Sequence, residues 1–164
     1  MDKMNEVSIL ASVTDDDKEW LRELWLREWG GEIVISKGQT YHVQDTAALI
    51  AWCEGVRVGA VAYHVRDEEC ELISLNATVE GLGIGSKLMT AVAQTVQPLG
   101  VNRIWLITTN DNINALRFYQ KQGYRITAVY PNTVDEARKL KPTIPHIGNH
   151  DIPIHDEIEL EIRL

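Results

Sequence analysis

The sequence predicts a single α/β (α+β) domain whose mixed central sheet is antiparallel at the start and parallel in the middle, flanked by helices. Three observations carry that expectation. Residues 48–53, 57–65 and 70–77 are strand-like runs separated only by the polar turns Glu54-Gly55 and Arg66-Asp67-Glu68-Glu69, the layout of an antiparallel meander. The third run then passes through a glycine-dense turn into a helical pattern over 85–97 and out into a strand-like run over 101–109. Strand, helix and strand with short connections form a right-handed parallel crossover. Finally, 164 residues, 45% of them hydrophobic, suffice to bury one core.

Residues 7–13 form a short apolar strand, ended by Thr14 and three aspartates of helix-start type. Across 16–29, Trp20, Leu21, Leu24, Trp25 and Trp29 recur at three- and four-residue steps, which places them on one side of a helix that Gly30-Gly31 stops. Residues 32–45 hold Ile33-Val34-Ile35 and Tyr41-His42-Val43 around Lys37-Gly38, and fit a substrate-side loop or an edge hairpin.

Asn110-Asp111-Asn112 opens a helix over 113–122 that Gly123 ends, and a strand over 124–130 follows. Thr133-Val134-Asp135-Glu136 matches a capping box and predicts a helix over 134–140. Residues 141–156, with three prolines and three histidines, read as an ordered irregular loop, so that 131–156 is a helix-plus-loop insertion within the 1–164 domain. The final strand, 157–164, could pair across a homodimer.

Composition narrows the function. Twenty-four acidic against 16 basic residues give a formal charge of -8, which argues against nucleic acid or an anionic membrane as partner and favours small or cationic molecules. There is no 18-residue apolar run, and Met1-Asp2-Lys3-Met4-Asn5-Glu6 lacks the layout of a signal peptide, so a cytoplasmic protein is expected. Cys53 and Cys70 read as small buried thiols, and without a CxxC pair no metal site is expected.

The chemistry centres on the turn from Val79 to Lys87. Three glycines in five positions let the backbone bend, and the helix that follows leaves N–H groups free to face a phosphate. A P-loop needs Gly-Lys-Ser/Thr, whereas Gly85 is followed by Ser86-Lys87. A dinucleotide turn needs an acidic residue about 20 positions on, where the chain offers Val101-Asn102-Arg103.

Gly81-Leu82-Gly83-Ile84-Gly85-Ser86-Lys87-Leu88, followed by Asn112-Ile113-Asn114-Ala115-Leu116-Arg117-Phe118-Tyr119-Gln120-Lys121-Gln122-Gly123-Tyr124, resembles the two signature blocks of the GNAT N-acetyltransferase superfamily. The resemblance is strong over 72–129 and slight in the tail. It departs at the head of the turn, where Glu80 replaces the family's Arg or Gln and the loop is shorter than usual. A carboxylate repels a pyrophosphate, so binding must rest on backbone N–H groups, with Lys87 or Arg117 available as compensating charge.

The resemblance implies a GNAT-like fold and transfer of an acetyl group from acetyl-CoA to the amine of a small-molecule acceptor, directly within a ternary complex. It implies Tyr119 as the general acid that protonates the departing thiolate. It further implies Asn112, the turn residues Leu82, Gly83, Ile84, Gly85 and Ser86, and the backbone of Leu75, Asn76 and Ala77 as the cofactor-binding set. Glu71 is the candidate general base, with Glu69, Asp45 or a water as alternatives. The tryptophan stripe of 16–29 reads first as core packing; Trp25 and Trp29, near the helix end, and His146 are also candidates for the acceptor pocket. A non-catalytic acyl-CoA-binding module and a protein or peptide N-acetyltransferase are the competing readings.

Overall fold

The computed structural model describes residues 6–164; Met1 to Asn5, on which the signal-peptide reading rests, lie outside the described residues. In chain order these residues form β1 (Val7–Ala11), α1 (Asp15–Trp29), β2 (Ile33–Ser36), β3 (Gln39–His42), β4 (Ala47–Cys53), β5 (Val56–Arg66), β6 (Glu69–Ala77), α2 (Ile84–Val96), β7 (Arg103–Thr109), α3 (Ile113–Lys121), β8 (Arg125–Tyr130), α4 (Thr133–Leu140) and β9 (Glu157–Arg163). Seven strands make one sheet in the order β1-β4-β5-β6-β7-β9-β8, and β2 and β3 pair apart from it.

The α1 start follows from its residues. The Thr14 hydroxyl accepts the Asp17 N–H at 3.0 Å while the Asp17 carboxylate accepts the Thr14 N–H at 3.2 Å, a reciprocal cap. The capping box expected at Thr133 does not form. Asn132 stands before α4 with a φ of 64° and no side-chain cap, and the Thr133 hydroxyl instead donates to the Tyr130 carbonyl at 3.0 Å.

The meander of β4, β5 and β6 is joined by two-residue turns, Glu54-Gly55 and Asp67-Glu68, and the parallel crossover links β6 to β7. The final strand differs from expectation. β9 lies between β7 and β8, antiparallel to both, so each of its edges is already paired within the chain. Strand pairing across a dimer through β9 is therefore excluded; β1 and β8 are the outer strands.

Two cores follow from strand alternation. On one face Leu88 and Val92 of α2 pack on Leu72, Ile104, Leu106 and Leu160, with α3 alongside through Leu116, Phe118 and Tyr119. On the other, Leu21, Leu24 and Trp25 of α1 pack on Ile50, Ala60 and Ala62, and the β2–β3 hairpin joins them through Val34 and Tyr41. The region left open between loop and hairpin is thus a hairpin, turning at Lys37 and Gly38 with φ of 48° and 76°. Its base is fixed by the buried Lys141, whose ammonium donates to the carbonyls of Trp29 at 2.6 Å and Ile33 at 2.7 Å.

Candidate active site

The two glycine-containing blocks meet. Gly83, with a φ of 65°, is the residue before α2, and the first helical bond runs from the Lys87 N–H to the Gly83 carbonyl, so the N–H groups of Ile84, Gly85 and Ser86 face out of the helix start. No carboxylate lies in that first turn. The Ser86 hydroxyl accepts Gln122 Nε2 at 2.8 Å, and a Cβ at Gly85 would stand 3.1 Å from Phe118 Cζ. The helix dipole and the outward N–H groups make this an anion seat. Glu80 is exposed on the preceding turn, and Lys87 and Arg117 are exposed on α2 and α3.

β6 contributes two features that the sequence did not reveal. Tyr63 pairs with Leu72 and Ala62 with Ser74, so Ile73 is an extra residue, a β-bulge. The ladder between β6 and β7 stops at Leu72 opposite Leu106, although β6 continues to Ala77 and β7 to Thr109. Leu75, Asn76 and Ala77 therefore pair with β5 on one edge and present the other to a gap. The buried Asn76 Oδ1 has no hydrogen-bond partner. Outward N–H groups at α2 and an unpaired strand edge with an orphaned acceptor suit a ligand carrying both phosphates and amides, as coenzyme A does.

Tyr119 stands on the α2–α3 face, half-buried, edge-on to Phe118 at 5.3 Å between ring centroids and 6.0 Å from Tyr124. Burial alone pushes its phenol up to about 12. Asn112 caps α3, its side chain accepting the Ala115 N–H at 3.2 Å.

Glu71 lies on the opposite face of the sheet, buried, one residue before the last rung. It accepts the Ser36 hydroxyl at 2.6 Å and the Tyr41 hydroxyl at 2.7 Å. Burial raises its pKa above the ordinary glutamate value, against the lowering effect of those two hydrogen bonds and of Lys37. A cleft of about 960 Å³ under the hairpin has Glu71, Tyr41, His64, Lys37 and Trp105 in its wall; it opens beside the laddered half of β6 and β7, and Glu71 stands in it one residue before the ladder ends.

Trp25, Trp29 and His146 do not join this cleft. Trp25 is 0% exposed and donates through Nε1 to the Ser74 hydroxyl at 3.1 Å, which makes it a core residue rather than a pocket wall. Trp29 is 39% exposed at the end of α1. His146 is exposed in the tail loop, which is pinned to the start of α3 by Asn110 and Asp111. Tyr41 and Lys37 line the cleft instead, and only the hairpin reading of 32–45 could have pointed to them. Among the described residues no group of three His, Cys, Asp or Glu is placed to hold a metal ion.

The sequence profile of the Acetyltransferase (GNAT) family matches residues 10–124. The chain belongs to this family. The uncharacterized protein YdhI of Bacillus subtilis (strain 168) is 41% identical to it over 143 residues, 86% of this chain and 89% of that protein. The fold of this GNAT chain is shared by an IAA acetyltransferase from Bacillus cereus ATCC 14579, with a TM-score of 0.71 at 21% identity over 97% of this chain and all of that one. It is shared equally by a Bacillus subtilis acetyltransferase solved in complex with CoA, with a TM-score of 0.71 at 20% identity over 97% and 99% of the two chains. No helix among the described residues is long and apolar enough to cross a membrane.

Proposed function

We propose that this GNAT protein acetylates the amine of a small-molecule acceptor, with acetyl-CoA as donor and with both substrates bound together. The carrying observation is the parting of β6 from β7 after Leu72: the anion seat and Tyr119 lie on one face of the sheet, and Glu71 with its cleft on the other. A donor and an acceptor entering from opposite faces meet at the gap without an enzyme-bound acyl group.

Acetyl-CoA supplies an activated acyl carbon and a thiolate leaving group. The N–H groups at the start of α2 hold its phosphates, and the free edge of Leu75 to Ala77 holds the thioester and donates to its oxygen as charge builds there. Glu71, directly or through a water, takes the proton the ammonium must lose before nitrogen can form the new bond to carbon. Tyr119 donates its hydroxyl proton to sulfur as the carbon–sulfur bond breaks, the second proton shed by the acylated nitrogen restores the phenol, and a phenol held well above neutrality is reliably protonated for that step. The cytoplasm is the compartment this donor implies.

Purified protein incubated with acetyl-CoA and a panel of small amines and N-terminal peptides should release free thiol with the small amines. Thiol release with peptides alone would move the acceptor to polypeptide N-termini; no release together with no CoA binding would reject the assignment.

A further inference from the structure

Two opposite charges stand side by side in the cleft without pairing. On β5 and β6, His64 pairs with Glu71 and Arg66 with Glu69, while Val65 and Cys70 between them turn to the α2 core, so those four side chains face the hairpin. Diagonal neighbours on one face of an antiparallel pair lie about 7–8 Å apart, and Arg66 is the diagonal neighbour of Glu71. His64, Arg66, Glu69 and Glu71 all line the cleft, as does Tyr41, whose ring centroid is 5.6 Å from that of His64.

Each of the two charges lacks an ionic partner for a visible reason. Glu69, the cross-strand neighbour of Arg66, is engaged by Arg103 at 3.5 Å from the β7 side. Among the described residues Arg66 makes no ion pair and no hydrogen bond, whereas Lys37 and Arg163, which also line the cleft, are held by Glu159 and Glu161. Glu71 makes no ion pair either: it accepts hydroxyls, from Ser36 at 2.6 Å and Tyr41 at 2.7 Å, which hold it towards the hairpin. Burial and then Glu71 raise the pKa of the Tyr41 phenol, and Arg66 acts against them, which sets the guanidinium charge near that hydroxyl. An acid without a cation and a cation without an acid, on one wall of one cleft, are complementary to a zwitterion.

We propose that the acceptor is an amino acid, whose ammonium faces Glu71 and whose carboxylate lies on the Arg66 guanidinium, with Tyr41 and His64 as the wall between. The proposal deepens the acyl-transfer reading and rests on it for one point, that the amine bound at Glu71 is the one acetylated. A guanidinium presents two parallel N–H groups in a fork that matches a carboxylate. Asp67, Glu68 and Glu69, which line the cleft beside Arg66, disfavour a doubly charged phosphate there, whereas one carboxylate is balanced by the one unpaired cation. A diamine would set a second positive charge against Arg66, and a plain amine would leave the guanidinium without a partner, so Arg66 selects amines by what they carry beside the nitrogen.

Titration calorimetry on full-length protein saturated with CoA tests this without turnover, with the proteinogenic amino acids and their carboxamides as probes. At least one amino acid should bind, and its carboxamide about thirtyfold more weakly, the worth of a charged hydrogen-bonded pair. Arg66→Gln, at an exposed position, should bring the acid down to the level of the carboxamide and leave the carboxamide unchanged. Arg66→Lys should restore part of the difference, since it keeps the charge but not the fork. Binding of no amino acid, equal binding of acid and carboxamide, or an equal loss of both in Arg66→Gln overturns the proposal. With acetyl-CoA as donor, Arg66→Gln should raise KM for the amino acid about thirtyfold with kcat held. Acetyl transfer to plain amines that is as efficient as to amino acids would overturn the proposal and leave the catalytic reading standing; absence of any transfer would reject that reading while leaving the calorimetric outcomes intact.

Discussion

Gly85 is absent a side chain where Phe118 fills the space: a Cβ there would lie 3.1 Å from Phe118 Cζ. This approach, with the Gln122 Nε2 donation to the Ser86 hydroxyl at 2.8 Å, joins the start of α2 to α3 and so sets the helix start relative to Tyr119. Gly85→Ala should improve intrinsic helix propensity by about 1 kcal/mol yet cost about 1–3 kcal/mol through overpacking. The expected result is a net loss of stability and about tenfold weaker CoA binding by calorimetry. Phe118→Leu, with a smaller side chain, should restore part of both in the double variant; strictly additive effects would show that the contact is not what couples the two helices.

Tyr119→Phe keeps the ring and its packing on Phe118 and Tyr124 and removes only the hydroxyl. If that hydroxyl protonates the thiolate, kcat falls about a hundredfold while CoA affinity holds. Because burial pushes this phenol up to about 12, the wild-type pH–rate profile should show no loss of activity from Tyr119 between pH 7 and 10, in the same assay. Equal losses in CoA affinity and kcat would make Tyr119 a packing residue.

The turn, the α3 block and the meander were legible because local rules carry them: glycine where φ is positive, Asn112 as a cap, apolar runs split by two-residue turns. What was not legible depends on partners far apart in sequence. The Lys37–Glu159 bond spans 122 residues and the Ser36–Glu71 bond 35, so no local pattern marks Lys37 or Ser36 as part of a site. Trp25 is the core residue that its place in the tryptophan stripe predicts, and its candidacy for the pocket fails for the same reason. Its helical spacing gave its side of α1 correctly, but only the position of Ser74 on β6 shows that the indole is enclosed. The bulge at Ile73 and the insertion of β9 between β7 and β8 are register choices, set by the whole sheet rather than by the strand that adopts them.

If Glu71 is the general base, it links activity and stability with opposite signs. Burial raises its folded-state pKa above 4.5, so the ionised form is the less favoured one in the folded protein. Its contribution to stability is full below 4.5 and is lost as pH climbs through the raised value. A general base works in the other direction and gains activity over that same climb. Glu71→Gln should therefore lower kcat/KM about a hundredfold, erase the acidic limb of the pH–rate profile, and flatten the fall in urea midpoint across that window. Retention of the acidic limb in the variant would assign the base elsewhere.

Asp17 gives the opposite pH signature at the other end of the fold. Desolvation acts to raise its pKa, but the N–H groups of Val13 and Thr14 and the Arg57 guanidinium at 2.9 Å overcome it and hold the carboxyl at about 2. A depressed folded-state pKa means stability that is present above 3.8 and lost as pH falls from there towards 2. The same carboxylate caps α1 and ties it to β5, where Arg57 also stacks 4.5 Å over Trp52. Asp17→Asn should cost about 2–3 kcal/mol at pH 7, combining a lost charged hydrogen bond with a weakened cap. Denaturant unfolding at pH 7 and again near pH 2 tests this: the gap between wild type and variant should shrink at the lower pH, because about half of the wild-type carboxylate is then protonated. A gap of equal size at both pH values would mean that shape and packing at Asp17, rather than its charge, hold α1 against the sheet.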